Sequence, residues 1–413
     1  MAESGIAKFD IAISGASFAG LAAALGLRQA LGNDVRIALV DRAAGPANGT
    51  EDGRAFAIWA ASKNMLGSLG VWAAIAPDAE AMTSIEISDS ALDDGVRPTR
   101  LTYDGVVESG AQVGYVVPAA TLHRALYQAV VGLPSITWIA PSEATGLELG
   151  ASMARLTLSD GRTVQAELVI AAEGRSSKLR EAAGIKTIGW GYGQTGIIAT
   201  VQFELPHNGV AIQHFLPGGP FAILPMKDNR ACITWSCAED EAKRVLALDD
   251  PAFLNELDHR IGGRFGVITL VGTRQSWPLD LKMARSLVAR RFALIGDAAH
   301  GVHPVAGQGV NLALRDVAAL VEAVTDVARI GLDFGSDAAL ERYERWRRFD
   351  STMSAAAYDG LNRVFGLDNT VLRAGRGAGL GLLDRIPALK SLILTEAAGL
   401  SGEVPKMLKG ERV

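Results

Sequence analysis

The sequence is poor in the residues and runs that mark several large classes of protein. It contains two cysteines in 413 residues, Cys232 and Cys237, which cannot close a tetrahedral zinc site and are typical of reduced thiols in a cytoplasmic protein. Because it has no run of 18 uninterrupted apolar residues, it predicts no membrane-spanning helix. The opening residues MAESGIAK are too polar for a secretory leader, so none is expected.

Charge and histidine content exclude further classes. The formal net charge is −5 and there is no long basic block, so nucleic acid is not an expected partner, because duplex binding needs a concentrated cationic face. The six histidines show no metal-ligand spacing, and no metal site is predicted. Hydrophobic residues make up 49% of the chain and charged residues 21%, a globular composition with room for two domains.

Three segments with the texture of nucleotide-binding βαβ units lie far apart in the chain, at residues 9–41, 168–175 and 291–300. From about residue 185 to 277 apolar and polar residues alternate between turn signals, which predicts an antiparallel sheet. The expected fold is α/β, a Rossmann-like (three-layer ββα) cofactor-binding domain with an inserted antiparallel β-sheet substrate domain and a helical C-terminus. The expected boundaries are 1–73, 106–182 and 278–345 for the first domain, 74–105 and 183–277 for the second, and 346–413 for the helical region.

The first of these segments carries a dinucleotide fingerprint. In ISGASFAGLAAAL, a strand runs into an alanine-rich helix through Gly15, Ser17 and Gly20, where glycines permit a tight turn and close helix packing, and the helix N-terminus favours phosphate. Ser17 replaces the usual middle glycine. Asp41 ends the second strand, where a carboxylate suits an adenosine ribose without a 2′-phosphate, and Arg42 beside it is a further candidate. The alternative is an ordinary strand–turn–helix with glycines for packing.

The segment GDAAHGVHPVAGQGVNLALRD has a more specific pattern. Asp297 follows a strand and is placed to bind a polyol hydroxyl, as the ribitol of a flavin offers. The glycine-rich turn from Pro304 to Gly309 leads into a helix that begins near Val310. The positive end of that helix would stabilise negative charge on a reduced flavin ring. The candidate cofactor residues of this segment are Gly296, Asp297, Pro304, Gly307, Gly309, Val310 and Asn311.

With these residues the chain resembles the group A flavoprotein monooxygenases, the para-hydroxybenzoate hydroxylase superfamily. The resemblance implies that the first domain is an FAD-binding domain. It also implies that NADH or NADPH is a transient co-substrate and that O2 is consumed. LVIAAEGR resembles the middle motif of that family, with Glu173 standing for its usual aspartate and followed by Gly174. Two interpretations of Glu173 are left open: a contact to the cofactors, or a salt-bridged surface turn.

Other stretches resemble one branch of the superfamily, the ubiquinone-biosynthesis ring hydroxylases. They are EDGRAFAIWAASKNMLGSLGVW, which carries Arg54 as a flavin or pyrophosphate contact, GYGQTGIIATV, WPLDLKMA and YERWRRFD. The resemblance implies hydroxylation of a polyprenylated phenol. Peripheral attachment at the inner face of the membrane, a biosynthetic complex and a homodimer are left open. A non-catalytic flavin-binding or assembly subunit, and a hydroxylase of another small phenol, are the alternative functions.

No side chain is expected to replace the flavin as the reacting group, so catalytic residues proper are not assigned. The resemblance places His123 near the flavin, although a lone histidine on an apolar helix is more often structural, and His300 is expected to support the turn. Gln213 and Phe215 share the parity of one strand and so one face. The candidates for the pocket facing the flavin are Gln213, His214, Phe215, Leu224, Pro225, Trp235 and Pro304.

Overall fold

The computed structural model describes residues 6–45, 53–94, 97–108, 110–304 and 307–413. The first two residues of the segment that carries Arg54, and residues 305–306 of the predicted glycine-rich turn, lie outside the described residues. The strands are β1 Ile6–Ser14, β2 Ile37–Val40, β3 Ala55–Trp59, β4 Glu80–Ala81, β5 Ser84–Asp89, β6 Leu101–Asp104, β7 Gly114–Pro118, β8 Ile136–Ile139, β9 Ala144–Leu149, β10 Ala154–Leu158, β11 Thr163–Ala171, β12 Thr187–Phe203, β13 Val210–Leu216, β14 Gly219–Met226, β15 Arg230–Ala238, β16 Ile268–Ala284, β17 Val288–Ala289, β18 Phe292–Leu294 and β19 His300–Gly301. The helices are α1 Phe18–Leu31, α2 Ala60–Ser68, α3 Trp72–Ile75, α4 Ala119–Val130, α5 Lys178–Ala182, α6 Glu239–Leu246, α7 Asp250–Ile261, α8 Gly309–Arg329, α9 Asp337–Gly366, α10 Thr370–Asp384 and α11 Pro387–Ala397.

A mostly parallel sheet carries the three segments that the sequence marks for nucleotide binding. Its strand order is β17–β18–β11–β1–β2–β8, with β10 and β9 extending it antiparallel from β11. Strands such as IALV are buried along their whole length, because helices cover a parallel sheet on its faces. Consecutive strands of this sheet are supplied by residues 6–14, 37–40, 136–139, 163–171 and 292–294, so the chain leaves the sheet and returns to it. A separate three-stranded sheet, β3–β7–β4, lies beside it.

The antiparallel sheet has the order β19–β16–β12–β15–β14–β13–β5–β6. Strands β5 and β6 come from the excursion at residues 84–105 and join the strands of residues 187–284, with β5 parallel to β13. One face of the sheet is covered by α6 and α7, where Phe253 and Leu257 are fully buried. Arg260 lies over the Trp235 ring at 4.0 Å on that side. The other face is therefore the one free to border a ligand. The domain boundaries expected from the sequence stay a prediction.

The C-terminal region is helical. Helix α9 is 30 residues long, and α10 and α11 form a hairpin beyond it. Arg376 of α10 ties this hairpin to the antiparallel sheet through two hydrogen bonds to Asp89, at 2.7 and 3.1 Å, and both side chains are buried. Within the described residues, no helix combines the length and the apolar character that crossing a membrane requires.

Candidate active site

A large cleft, about 1890 Å³ in volume, lies where the carboxyl ends of the parallel strands meet the open face of the antiparallel sheet and α9–α11. Its volume exceeds the roughly 300–1,000 Å³ typical of a pocket for one small ligand. The cleft therefore has room for a cofactor and a substrate together. The predicted cofactor residues that line it are Gly15, Ser17, Asp41, Arg42, Arg54, Glu173, Gly174, Gly296, Asp297, Pro304, Gly307, Gly309 and Val310.

The turn between β1 and α1 is packed too tightly for any residue but glycine. Gly15 has φ +100°, and a Cβ there would lie 2.4 Å from the Ala172 carbonyl oxygen. A Cβ on Gly20 would lie 1.8 Å from the Gly15 carbonyl oxygen. Gly20 therefore does not line the cleft but lets α1 begin directly under the turn. Ser17 is the N-cap of α1, its side chain makes no capping hydrogen bond, and it faces the cleft.

Asp41 is held by the turn it faces. Its carboxylate accepts hydrogen bonds from the Ala16 N–H at 2.6 Å and from the Ala43 N–H at 2.7 Å. The expectation that His123 contacts the cofactor is corrected: it does not line the cleft, because its Nε2 donates to the Ala16 carbonyl at 3.2 Å from behind the turn. His123 thus supports the loop that Asp41 also holds.

Glu173 is half-buried and forms no ion pair with any residue that the structure describes. One carboxylate oxygen accepts from the Ser14 hydroxyl at 3.0 Å, and the other accepts from the Ser177 hydroxyl at 2.6 Å and the Leu179 N–H at 3.2 Å. It therefore joins the end of β1 to the N-terminus of α5, and the extra methylene of glutamate lets it reach both. Gly174, with φ +84°, follows at the wall of the cleft.

Asp297 lies beyond the end of β18, the strand next to β11, and is half exposed; Arg175 bridges it to the antiparallel sheet. The Arg175 Nε lies 3.5 Å from Asp297 Oδ2, Nη1 is paired with Asp280, and Nη2 donates to the Val302 carbonyl at 2.9 Å. Arg175 and Asp280 both line the cleft. The motif LVIAAEGR includes Arg175, but its pairing with Asp280 does not follow from the sequence, because the two residues lie 105 positions apart.

A buried ionic cluster fixes the turn that carries Asp297. The fully buried Asp316 of α8 accepts from the Gly296 N–H at 2.9 Å and from Arg347 Nε at 2.7 Å. His300 Nε2 lies 2.6 Å from Asp316 Oδ2, and the two form an ion pair when the imidazole is protonated. Burial opposes the charged form of His300, but the Asp316 carboxylate outweighs it and raises the pKa of the imidazole. Likewise burial would raise the pKa of Asp316, but His300 and Arg347 hold it below its ordinary value.

The N-terminus of α8 points into the cleft. Gly307 has φ +61°, and it lines the cleft together with Gly309 and Val310. Asn311 does not reach the cleft, because its amide is committed to backbone. It donates to the Ala57 carbonyl at 2.8 Å and the Gly307 carbonyl at 3.1 Å, and it accepts from the Trp59 N–H at 3.1 Å. Asn311 thus fixes the helix start against β3, the strand that follows Arg54.

The open face of the antiparallel sheet borders the far part of the cleft through Gln213, Phe215 and Leu224. Strand alternation corrects the other sheet candidates. Pro225 follows Leu224 on the same strand, so it points to the opposite face, and Trp235 is buried on that face under Arg260. Neither lines the cleft.

His214 also points away from the cleft. Its Nδ1 lies 2.5 Å from the Ser88 hydroxyl, and it borders a small pocket of about 190 Å³ on the opposite face of the sheet. Burial and the neighbouring Arg97 and Arg264 lower the pKa of His214 to about 4, so it is neutral at physiological pH. It is therefore a satisfied sheet histidine.

An apolar ridge on α9 was not foreseen. Its residues recur every fourth position, so each lies next to the following one on the helix surface while the row turns by about 40° per step, and all of them line the cleft: Phe349, Met353, Ala357, Leu361 and Phe365. Phe365 stacks on Phe215, with 4.0 Å between ring centroids, whereas Phe349 is 75% exposed. The ridge spans 16 residues, about 24 Å at 1.5 Å per residue. It therefore runs from the inner wall of the cleft to the surface.

Another part of the cleft wall is mostly apolar and carries the hydroxyl group of Tyr103. Ile85 and Ile87 of β5, Trp277 of β16 and Leu394 of α11 all border the cleft. Tyr103 lies among them, and burial raises the pKa of its hydroxyl. Its hydroxyl thus stays protonated and can donate a hydrogen bond. The alternation in SIEISDS marks β5, but its side of the cleft follows only from the pairing of β5 with β13.

Comparisons with known proteins agree with this geometry. A family model described as FAD binding domain matches residues 8–352. The chain is 41% identical over 362 residues to ubiquinone hydroxylase UbiL of Rhodospirillum rubrum, covering 87% of this chain and 83% of that protein. It is 32% identical over 395 residues to 3-demethoxyubiquinol 3-hydroxylase of Escherichia coli, covering 95% of this chain and 98% of that protein. Among solved structures, p-nitrophenol 4-monooxygenase PnpA from Pseudomonas putida superposes with a TM-score of 0.79 at 17% sequence identity. The superposition covers 96% of this chain and 100% of that chain, which shows a shared fold.

Proposed function

Because the chain belongs to the FAD binding domain family, we propose that it is a monooxygenase that hydroxylates the phenolic ring of a polyprenylated intermediate of ubiquinone biosynthesis. The overall reaction consumes O2, NADH or NADPH and a proton, and it yields the hydroxylated ring, the oxidised coenzyme and water. The observation that carries the proposal is the cleft itself, with polar, glycine-rich turns at one end and the apolar α9 ridge at the other. The assignment to ubiquinone biosynthesis is inferred from the names of the two relatives.

The residues present fit an FAD. The N-termini of α1 and α8 both face the cleft, and helix N-termini favour the negative charge of a diphosphate and of a reduced flavin ring. Asp41 is proposed to accept from ribose hydroxyls, Asp297 from the ribitol, and Arg54 to contact the diphosphate. When bound, FAD supplies the chemistry, by accepting hydride from the nicotinamide and activating oxygen.

The protein contributes orientation and a dry environment. Phe215, stacked on Phe365, and Leu224 are proposed to hold the phenol ring and exclude water beside the flavin position. The protonated Tyr103 hydroxyl is positioned to donate to a ring oxygen. The α9 ridge, about 24 Å long, would accommodate an isoprenoid tail. Glu173, Gly20, His123 and Asn311 are proposed to position the cofactor loops rather than to touch the flavin.

A tailed phenol partitions into lipid, so the proposal includes peripheral association at the inner face of the cytoplasmic membrane. A homodimer or a biosynthetic complex would serve the same end. Size-exclusion chromatography with light scattering distinguishes a monomer from a homodimer. The boundaries expected from the sequence, with residues 74–105 and 183–277 as the substrate domain, are retained as part of this proposal.

Cofactor retention and turnover test the proposal. The purified protein should carry FAD, oxidise NADH or NADPH faster when a phenol is added, and add one oxygen to a short-tailed prenylphenol by mass spectrometry. Asp297→Ala should lose FAD, whereas the matched control Asp34→Ala, at an exposed site, should keep it. Normal flavin content in Asp297→Ala would reject the site. Flavin-loaded protein without turnover of any prenylphenol would instead indicate an assembly subunit. Complementation of strains that each lack one ubiquinone hydroxylase identifies the ring position.

A further inference from the structure

The outer face of the α10–α11 hairpin is apolar and is not covered by the described part of the chain. Helix α10 has no buried residue. Val371 and Leu382 are 79% and 62% exposed, and at 100° per residue they lie within about 20° of each other around the helix. The outer face continues on α11, where Leu392 is 63% exposed.

The composition of α10 makes this exposure difficult to sustain in water. Four of its fifteen residues are glycine, a poor helix former. Three of the four, Gly375, Gly379 and Gly381, would meet nothing within 4 Å if a Cβ were added, so no contact with the described part of the chain requires glycine there. Isolated helices of this length are marginal in water even when rich in alanine. A partner on its bare side would therefore stabilise α10.

The inner side of the hairpin is bound to the rest of the protein, so its outer side always faces away from the cleft. Leu380 and Leu383 face the cleft, and Arg376 is bound to the buried Asp89. Lys390 pairs with Asp384 at 2.9 Å. Arg385, at the turn of the hairpin, is exposed and forms no ion pair with a described residue. The outer face therefore presents leucine, valine and one free cation.

The cleft opens beside this face. Ile393 of α11 both lines the cleft and is 39% exposed, and Leu389, one turn earlier, continues it outward. Met353 and Leu361 of the α9 ridge also line the cleft and are exposed at the surface. A folded partner seated here would cover this apolar opening, whereas lipid is fluid and leaves it passable.

From these observations we propose that the outer face of the α10–α11 hairpin docks on the surface of an anionic lipid bilayer and sets the apolar opening of the cleft against the acyl chains. The inference rests on the proposed function in one respect, that the substrate carries an apolar tail. Leucine and valine would enter the headgroup boundary, as in interfacial helices, and Arg385 would meet anionic headgroups. A second copy of the chain is the competing occupant.

Vesicle flotation of the FAD-loaded protein tests the docking. The parent should float with vesicles of phosphatidylcholine and phosphatidylglycerol at three to one, and the double variant Leu382→Ser/Leu392→Ser should lose about tenfold in partitioning for each leucine. The matched control Val267→Ser/Ile330→Ser removes two side chains at least as exposed, at 66% and 74%, and should float like the parent. A parent that does not float, or a hairpin variant that floats like the control, overturns the proposal.

Two further measurements separate the competing explanations. Leu392→Trp should be quenched by brominated acyl chains and Ile330→Trp should not, which tests insertion without removing an apolar side chain. A parent that is dimeric without lipid, and a Leu382→Ser/Leu392→Ser variant that is monomeric, would assign the face to a second copy and reject the lipid. Hydroxylation of a tail-less phenol in lipid-free buffer should be equal in all variants. Its absence in the parent as well would count against the proposed function and not against the docking.

Discussion

The ionic cluster beneath Asp297 leads to a quantitative prediction. Arg347 is buried and donates to Asp316, which is fully buried and in turn accepts from the Gly296 N–H. Replacing Arg347 with Met keeps the apolar stem and removes the charge. Asp316 then keeps His300 as its remaining cationic partner. Removing one member of a buried pair costs about 3–5 kcal/mol, so Arg347→Met should lower the free energy of unfolding by about that much.

The same variant should weaken FAD binding, because the Gly296–Asp297 turn is held by Asp316. Urea unfolding followed by tryptophan fluorescence gives the stability, and titration of the apoprotein with FAD gives the affinity. Arg345→Met is the matched control on the same helix, since Arg345 is exposed and pairs with Glu341 at 3.5 Å. It should change stability by less than about 1 kcal/mol.

The double variant Asp316→Leu/Arg347→Met removes both charges and should recover part of the lost stability, because a buried pair is often replaceable by apolar residues. The pH dependence gives a further check. Since the folded-state pKa of His300 is raised, its stabilisation is fully present below the unfolded pKa of about 6.5 and is lost as pH rises through the folded value. Asp316→Asn should abolish this contribution. If Arg347→Met matched Arg345→Met in stability, the cluster would not stabilise the fold and the reasoning would fail.

Three further predictions follow from the described contacts. Gly15→Ala should abolish FAD retention because its Cβ would clash with Ala172, whereas Gly32→Ala, with φ +91° and nothing within 4 Å, should retain FAD; equal flavin content would contradict this. Burial and Arg175 lower the pKa of His303 to about 4, so protonation opposes folding, stability should fall as pH drops from about 6.5 to about 4, and His303→Gln should flatten that fall in urea titrations. Met353→Ala, on the part of the α9 ridge away from the Phe215–Phe365 stack, should raise KM for a tailed phenol several-fold more than for a tail-less one, and an equal rise for both would refute tail binding along α9.

Much of the cofactor half could be predicted from local patterns. The glycine turns and the acids at strand ends are encoded within a few residues, so Gly15, Asp41 and Asp297 were named and all line the cleft. Strand alternation was available from the sequence too, and a stricter use of it would have separated Leu224 from Pro225. The FAD family and the ring-hydroxylase branch were recognised from the motifs and are confirmed by the comparisons.

The rest depended on contacts between distant segments. Arg175 meets Asp280 across 105 residues, and Arg376 meets Asp89 across 287, so no spacing rule reveals them. Glu173 was ambiguous because its three donors belong to two elements whose approach is set by the packing of α5. The α9 ridge has a helical period, but which side of the helix meets the cleft depends on the position of Phe215. Whether each named residue binds the cofactor stays a prediction.

The order of strands in the parallel sheet has a consequence for how the protein is made. The last three residues of β11, Val169–Ala171, pair with β18, which is supplied only by Phe292–Leu294. At about 5–20 residues per second of synthesis, that edge waits roughly 6–24 s on the ribosome before its partner exists. Unpaired apolar edges are templates for association with other chains. The newly synthesised chain is therefore expected to need chaperones over this interval, and low temperature, which weakens hydrophobic association, should improve the yield of folded protein.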